Sequence, residues 1–165
     1  MGTIITMRLR DDSGIVVLKV ALDGRRGIWR RIAIKRAQTL DDLARAINRA
    51  FDRDNDQLYA FYIGQKSGNP TRRQLVDAAR RYAHPDATDP FLEREGVERN
   101  AANATLASLR LADGQTFFFL YDFGDEWWHI LTVEQAKAEE LPEQQYPAVI
   151  ARRGESPEQY PEAEA

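Results

Sequence analysis

The chain has 165 residues, of which 43% are hydrophobic and 30% charged, with a formal charge of −3 and no cysteine. Such values describe a globular chain long enough for one well-buried domain, and they exclude disulfides, zinc–thiolate sites and thiol catalysis. No apolar run approaches the roughly 18 residues of a membrane span, and residues 1–10 lack the apolar core of a signal peptide, so a cytoplasmic protein without a membrane partner is expected.

The charge is uneven: seven glutamates face two arginines from Glu139 onward, while the rest of the chain carries 21 basic and 19 acidic residues. Sequence-independent nucleic-acid binding draws on a clustered basic surface, and the global balance does not favour it. The best local candidate for a basic patch is Arg72, Arg73, Arg80 and Arg81; Arg25, Arg26, Arg30 and Arg31 are the other arginines that would serve nucleic-acid binding.

In chain order, residues 4–9 could form an edge strand, and 11–14 read as a turn. Residues 15–22 put Val16, Leu18, Val20 and Leu22 on one face, the alternation of a strand. Residues 28–34 read as its hairpin partner, with Ile28, Ile32 and Ile34 inward. Arg30 shares that inward face. Buried there, it needs a carboxylate, for which Asp122 and Asp125 are candidates, or several carbonyls; otherwise it snorkels at the sheet edge.

Thr39 before Leu40-Asp41-Asp42 is an N-cap with acids in the first turn, and the spacing of Leu40, Leu43, Ala44, Ile47 and Phe51 predicts a helix to about Phe51. Residues 52–56 form a polar turn that lacks the glycine and terminal glutamate of an EF-hand loop. A strand over 57–63, a loop over 64–70 and a short basic helix over 72–82 follow. Residues 84–103 read as irregular, with a helical turn near 91–94, and Leu106 and Leu109 fit another turn.

The densest aromatic run is 117–133, with two β-rich stretches about Gly124-Asp125. Glycine at the first position of a two-residue loop suits a type II′ turn. With that loop, or with a four-residue loop over 123–126, Asp122 faces Trp127, Tyr121 faces Trp128 and Leu120 faces His129. One face then carries Phe118, Leu120, Asp122, Trp127, His129 and Leu131, and the other Phe117, Phe119, Tyr121, Trp128 and Ile130. Both faces are largely apolar, which makes the hairpin central. Residues 134–140 read as a short helix, 146–150 as a last edge strand, and 151–165 as an acidic tail, extended or disordered.

The expected fold is α+β: a single domain over 1–150 with a mostly antiparallel sheet of about five or six strands and two or three helices packed on one side. The candidate binding cleft gathers Trp29, Arg30, Arg31, Tyr121, Asp122, Gly124, Asp125, Trp127 and His129. Asp122, Asp125 and His129 are weak candidates for a divalent cation; with no second nearby histidine and no cysteine, neither metal nor cofactor is predicted.

Several segments together carry a resemblance: Ile28-Trp29-Arg30-Arg31, Thr39-Leu40 with Leu43, Gln57-Leu58-Tyr59 with Phe61, and above all Tyr121-Asp122-Phe123-Gly124-Asp125-Glu126-Trp127 with His129. With Tyr146-Pro147 and the Gly154, Pro157, Gln159-Tyr160-Pro161 segment, the chain resembles the plasmid pRiA4b ORF-3-like family, also described as passenger proteins of an insertion element. It departs from the pattern at Arg26-Gly27, where many relatives carry two prolines, at Gln57, where histidine is common, and in lacking the relatives' C-terminal cysteines. The resemblance implies a compact α+β domain and carries no activity with it. The leading expectation is therefore a non-catalytic binding or interaction domain, its partner a protein or a second copy. The alternatives are a nucleic-acid-associated accessory protein of a mobile element and, last, a metal-assisted hydrolase.

Overall fold

The computed structural model describes residues 11–64, 66 and 68–160; the expected strand at 4–9 lies outside them. Its centre is a single eight-stranded sheet in the order β5-β4-β3-β6-β7-β1-β2-β8. The strands are β1 (Ile15–Leu22), β2 (Arg25–Lys35), β3 (Tyr59–Ile63), β4 (Arg80–Ala83), β5 (Glu98–Asn100), β6 (Thr116–Tyr121), β7 (Trp127–Ala138) and β8 (Ala148–Arg153). All neighbours are antiparallel except β4 and β5. The helices are α1 (Leu40–Ala50), α2 (Arg72–Ala78) and α3 (Pro90–Arg94).

The α+β class holds, but the expected five or six strands become eight. Two of the strands had no usable signal. β4 lies inside the span read as one basic helix: Ala79 turns extended at φ −84°, ψ 159°, and Arg80–Ala83 joins the edge of β3. β5 is three residues long, too short for a period to register. The stretch read as a helix over 134–140 instead prolongs β7, because pairing with β1 at Val17↔Gln135 and Ile15↔Ala138 outweighs a weak local helix propensity.

Strict alternation divides the sheet into two sides. One side presents Val16, Leu18, Val20, Ile32, Ile34, Tyr59, Phe61, Phe117, Phe119, Leu131 and Val133, all buried. Leu40, Leu43 and Ile47 of α1, with Phe51 at its C-cap, complete that core. Thr39 closes the start of α1 as a capping box with Asp42, which satisfies two backbone donors reciprocally. The helices do not share one side. α2 packs against β3 and β6, with Arg72 stacked 4.6 Å from the Trp128 ring, on the side opposite α1.

The expected hairpin register is off by one residue. Tyr121 faces Trp127, Leu120 faces Trp128 and Phe119 faces His129. The cause is a five-residue connection, 122–126, in place of the expected two or four; an odd loop shifts pairing by one and moves one strand's side chains to the other side. Asp122 and Glu126, at φ 65° and 54°, both sit in the left-handed region and let the chain reverse with one extra residue. Trp127 and His129 therefore lie on the α1 side with Tyr121.

From Gly154 to Tyr160 the chain stays against the body. The segment expected as an acidic tail begins with the last three residues of β8 and continues as a strap, residues 154–160, back across the 52–57 loop. Gly154 is required where the strap departs: its φ is +82°, and a Cβ there would stand 3.0 Å from Ile28 Cγ1 and 3.2 Å from Ile28 Cα. Among the described residues no helix is long and apolar enough to cross a membrane.

Candidate functional site

The turn end of the β6–β7 hairpin is built from its loop outward. Oδ1 of Asp122 accepts the N–H groups of Gly124 at 3.0 Å and Asp125 at 3.1 Å, and its carbonyl accepts Glu126 N–H at 2.7 Å. Its own N–H bonds Leu58 O at 2.8 Å, which ties the loop to the start of β3. A buried side chain that caps a tight loop is a structural group. Gly124 and Asp125 form the exposed crest.

Beneath the crest lies a polar set that sequence reasoning missed. Arg53 is only 7% exposed, its guanidinium 5.0 Å from the Trp127 ring, 5.2 Å from Phe51 and 5.6 Å from Tyr121. Its Nη2 lies 2.8 Å from His129 Nε2 and its Nη1 3.4 Å from Asn48 Oδ1. His129 is fully buried, and its Nδ1 lies 3.1 Å from Phe119 O. A guanidinium only donates, so Nε2 accepts and Nδ1 carries the proton given to the carbonyl. Burial first, and the Arg53 charge second, hold His129 well below the usual histidine range. Burial also lowers Arg53, to about 10.

Tyr121 joins this set to the strap. Its hydroxyl accepts N–H from Asp56 at 3.1 Å and Gln57 at 3.2 Å, and its proton is directed to Asp54 O or Asp56 Oδ1. Gln159 Oε1 accepts Asp54 N–H at 2.7 Å, and Tyr160 contacts Asp56 Oδ2 at 3.2 Å. Two clefts open here and share Asp125 and Trp127. One, about 450 Å³, lies between them and Gln159 and Tyr160; the other, about 320 Å³, runs toward the Asp23-Gly24-Arg25 turn, Arg72 and Trp128.

The nine candidate cleft residues do not converge on one surface. Tyr121, Asp122, Gly124, Asp125, Trp127 and His129 meet at the turn end. Trp29 and Arg31 lie on the opposite side of the sheet, where Lys19 and Arg31 stack on the Trp29 ring at 5.0 and 5.1 Å and Glu134 binds Arg31 at 2.5 and 3.1 Å. Arg30 is fully buried on the α1 side and takes the carbonyl route rather than a carboxylate. Its donors reach Ala50 O, Trp29 O, Arg153 O and Ser156 Oγ at 2.9 to 3.0 Å, with the Phe51 ring 4.8 Å away. Neither Asp122 nor Asp125 is its partner.

Asp122, Asp125 and His129 form no common metal centre. Asp122 caps the loop, Asp125 is exposed, and both His129 nitrogens are engaged; among the described residues no group of three or more such side chains is placed to hold an ion. The four arginines of the basic patch also separate. Arg72 and Arg73 are on α2, Arg80 and Arg81 on β4. Arg72 is paired with Asp23 at 3.2 Å and Arg81 with the buried Glu98 at 2.5 Å, so half of the patch is neutralised.

Arg53, Asp56, Gln159 and Tyr160 belong to this candidate site and were not singled out for it from the sequence. The polar 52–56 loop reads as solvated, and only the Gly154, Pro157, Gln159-Tyr160 pattern hinted that the terminal segment had a place in the fold.

Known proteins bear on this geometry at two levels. The model of the plasmid pRiA4b ORF-3-like proteins matches residues 14–161. The chain belongs to that family. The family match takes in the hairpin, the 52–57 loop and the strap together. A solved structure of similar fold is the crystal structure of protein of unknown function MM3350 from Methanosarcina mazei Go1. It is 21% identical, with a TM-score of 0.62 over 86% of this chain and 70% of that one. At that identity the likeness concerns the fold alone. No curated protein matches.

Proposed function

We propose that this pRiA4b ORF-3-like protein is a non-catalytic, cytoplasmic binding domain whose recognition site is the turn end of the β6–β7 hairpin. The observation that carries this reading is the pairing of an open cleft with a rigid support. Asp125, Trp127, Gln159 and Tyr160 face about 450 Å³ of space, over the interlocked Arg53, His129 and Tyr121. Such a cleft offers one aromatic wall and several polar groups, the usual composition of a small-ligand or side-chain pocket. His129, the one imidazole nearby, is occupied at both nitrogens, which supports binding over acid–base chemistry. The plasmid origin in the family's description fits an accessory role on a mobile element.

The test is NMR on protein labelled with ¹⁵N at its tryptophans, titrated with a panel of small aromatic and zwitterionic fragments. The Trp127 indole signal should shift saturably, and an Asp125→Ala, Tyr160→Ala variant should lose the shift while keeping its melting temperature. Shifts that persist in that variant, or an unmoved Trp127 signal across the panel, would contradict the reading.

A further inference from the structure

The strap, residues 154–160, is attached to the body in a different way from every strand of the sheet. Among the described residues, no backbone-to-backbone hydrogen bond joins it to the rest of the chain. Three side chains hold it. Ser156 Oγ donates to Asp52 Oδ2 at 2.8 Å and accepts from Arg30 at 2.9 Å. Gln159 Oε1 accepts Asp54 N–H at 2.7 Å, and its amide nitrogen reaches Asp56 Oδ1 at 3.2 Å. The Tyr160 hydroxyl meets Asp56 Oδ2 at 3.2 Å and accepts from Gln57 Nε2 at 3.2 Å. No residue of the strap is buried, so lifting it exposes no core and breaks only these side-chain bonds.

The loop beneath is fastened independently. Arg53 N–H bonds Asn48 O at 2.9 Å, and the Tyr121 hydroxyl accepts the N–H groups of Asp56 and Gln57. These bonds survive when the strap leaves. On the other side of the junction, Arg153 O is held by Arg30 at 3.0 Å, so motion begins at the next residue. That residue is Gly154, which can take backbone angles closed to other residues. Pro157 narrows the freedom of the segment beyond it. A segment with few buried contacts, solvent-exposed bonds and a glycine at its root belongs to the low-stability end of a fold, where parts open separately from the whole.

We propose that residues 154–160 form a latch that swings as one unit about Gly154, completing the hairpin-end cleft when seated and removing one of its walls when lifted. Gln159 and Tyr160 are that wall, facing Asp125 and Trp127 on the hairpin. A ligand that touches both walls binds the seated form alone and holds the latch shut. This consequence rests on the hairpin-end reading. The opening itself does not, and its failure would leave the cleft as a permanent site.

Amide hydrogen exchange of the full, ligand-free chain, followed residue by residue by NMR, tests it. The Asp54 N–H is bonded to Gln159 Oε1 and so reports whether the strap is seated. It should be protected on the order of 10- to 1,000-fold, the range for a few neutral side-chain hydrogen bonds, and should exchange faster than amides of the central strands β1 and β7. Tyr160→Phe removes the bonds to Asp56 without touching Asp54 and should speed Asp54 exchange roughly two- to tenfold. Ser156→Ala, at the other end of the strap, should do the same. In both variants the Asp56 and Gln57 amides should keep their rates, because Tyr121 holds them. Four results would overturn the proposal: an Asp54 amide with no protection, one that exchanges as slowly as β1 and β7, one whose rate neither variant changes, or Asp56 and Gln57 amides that accelerate along with it.

Discussion

His129 enters the folded state neutral, and its surroundings fix how stability responds to acid. The ring is fully buried, gives its Nδ1 proton to Phe119 O and accepts from Arg53 at 2.8 Å. Protonating Nε2 would break that bond and set two cations against each other inside the core. Its folded pKa therefore lies well below 6.5, while the unfolded chain titrates near the ordinary value. The unfolded state binds the proton first, so stability is fully present above about pH 6.5 and falls as the pH drops below it. The slope for one such group is about 1.4 kcal/mol per pH unit until the folded pKa is reached. Carboxylates also titrate on acidification, so the informative quantity is a difference. His129→Gln keeps an acceptor for Arg53 and a donor for the carbonyl and removes the titration. Urea unfolding of both proteins between pH 7.5 and 5, in steps of roughly half a unit across the window set by the histidine pKa, should show the wild type losing about 1.4 kcal/mol more per unit below pH 6.5. Parallel pH profiles would refute the buried, neutral histidine.

Gly154→Ala forces a side chain into the left-handed region and to within 3.2 Å of the Ile28 backbone, so it should cost about 1–3 kcal/mol in chemical denaturation; a change under about 0.5 kcal/mol, the usual surface value, would contradict the tight strap crossing. Phe119→Ala, at a fully buried ring in the α1-side core, should cost roughly 3–5 kcal/mol. Trp29→Ala should cost less than Phe119→Ala in the same urea series, since its ring is half-buried beneath two cations, and the reverse order would place Trp29 in the core. Arg30→Lys keeps the charge but cannot span Ala50 O, Arg153 O and Ser156, and should lower stability by about 2–3 kcal/mol; a neutral result would mean the fork geometry is idle.

How much of this was legible in the sequence depended on where the deciding contact lay. Val16, Leu18, Val20 and Leu22, and the Thr39-capped helix, were readable because each signal is local: alternation in one case, a cap and an i, i+3, i+4 stripe in the other. The register of the hairpin was not. It turns on Asp122 and Glu126 adopting φ values that non-glycine residues seldom take, and their cost is met by bonds to Leu58 O and within the loop. β4 and the end of β7 were hidden because their pairing partners lie far away in sequence. At the site, Tyr121, Asp125 and Trp127 were found from the aromatic run. Arg53 was missed because a lone arginine among aspartates reads as solvated, whereas here three aromatic rings and a neutral histidine enclose it. The expected grouping of Trp29 with Trp127 failed for a geometric reason: β1 pairs Ala21 with Trp29 and Leu22 with His129, so Trp29 and Trp127 project to opposite sides of the sheet.

The central claim concerns one cleft, and crystals soaked with a fragment library address it most directly. The account predicts fragment density between Asp125, Trp127, Gln159 and Tyr160, with Arg53 and His129 unmoved beneath. Fragments that gather at other surfaces and leave that cleft empty would contradict it.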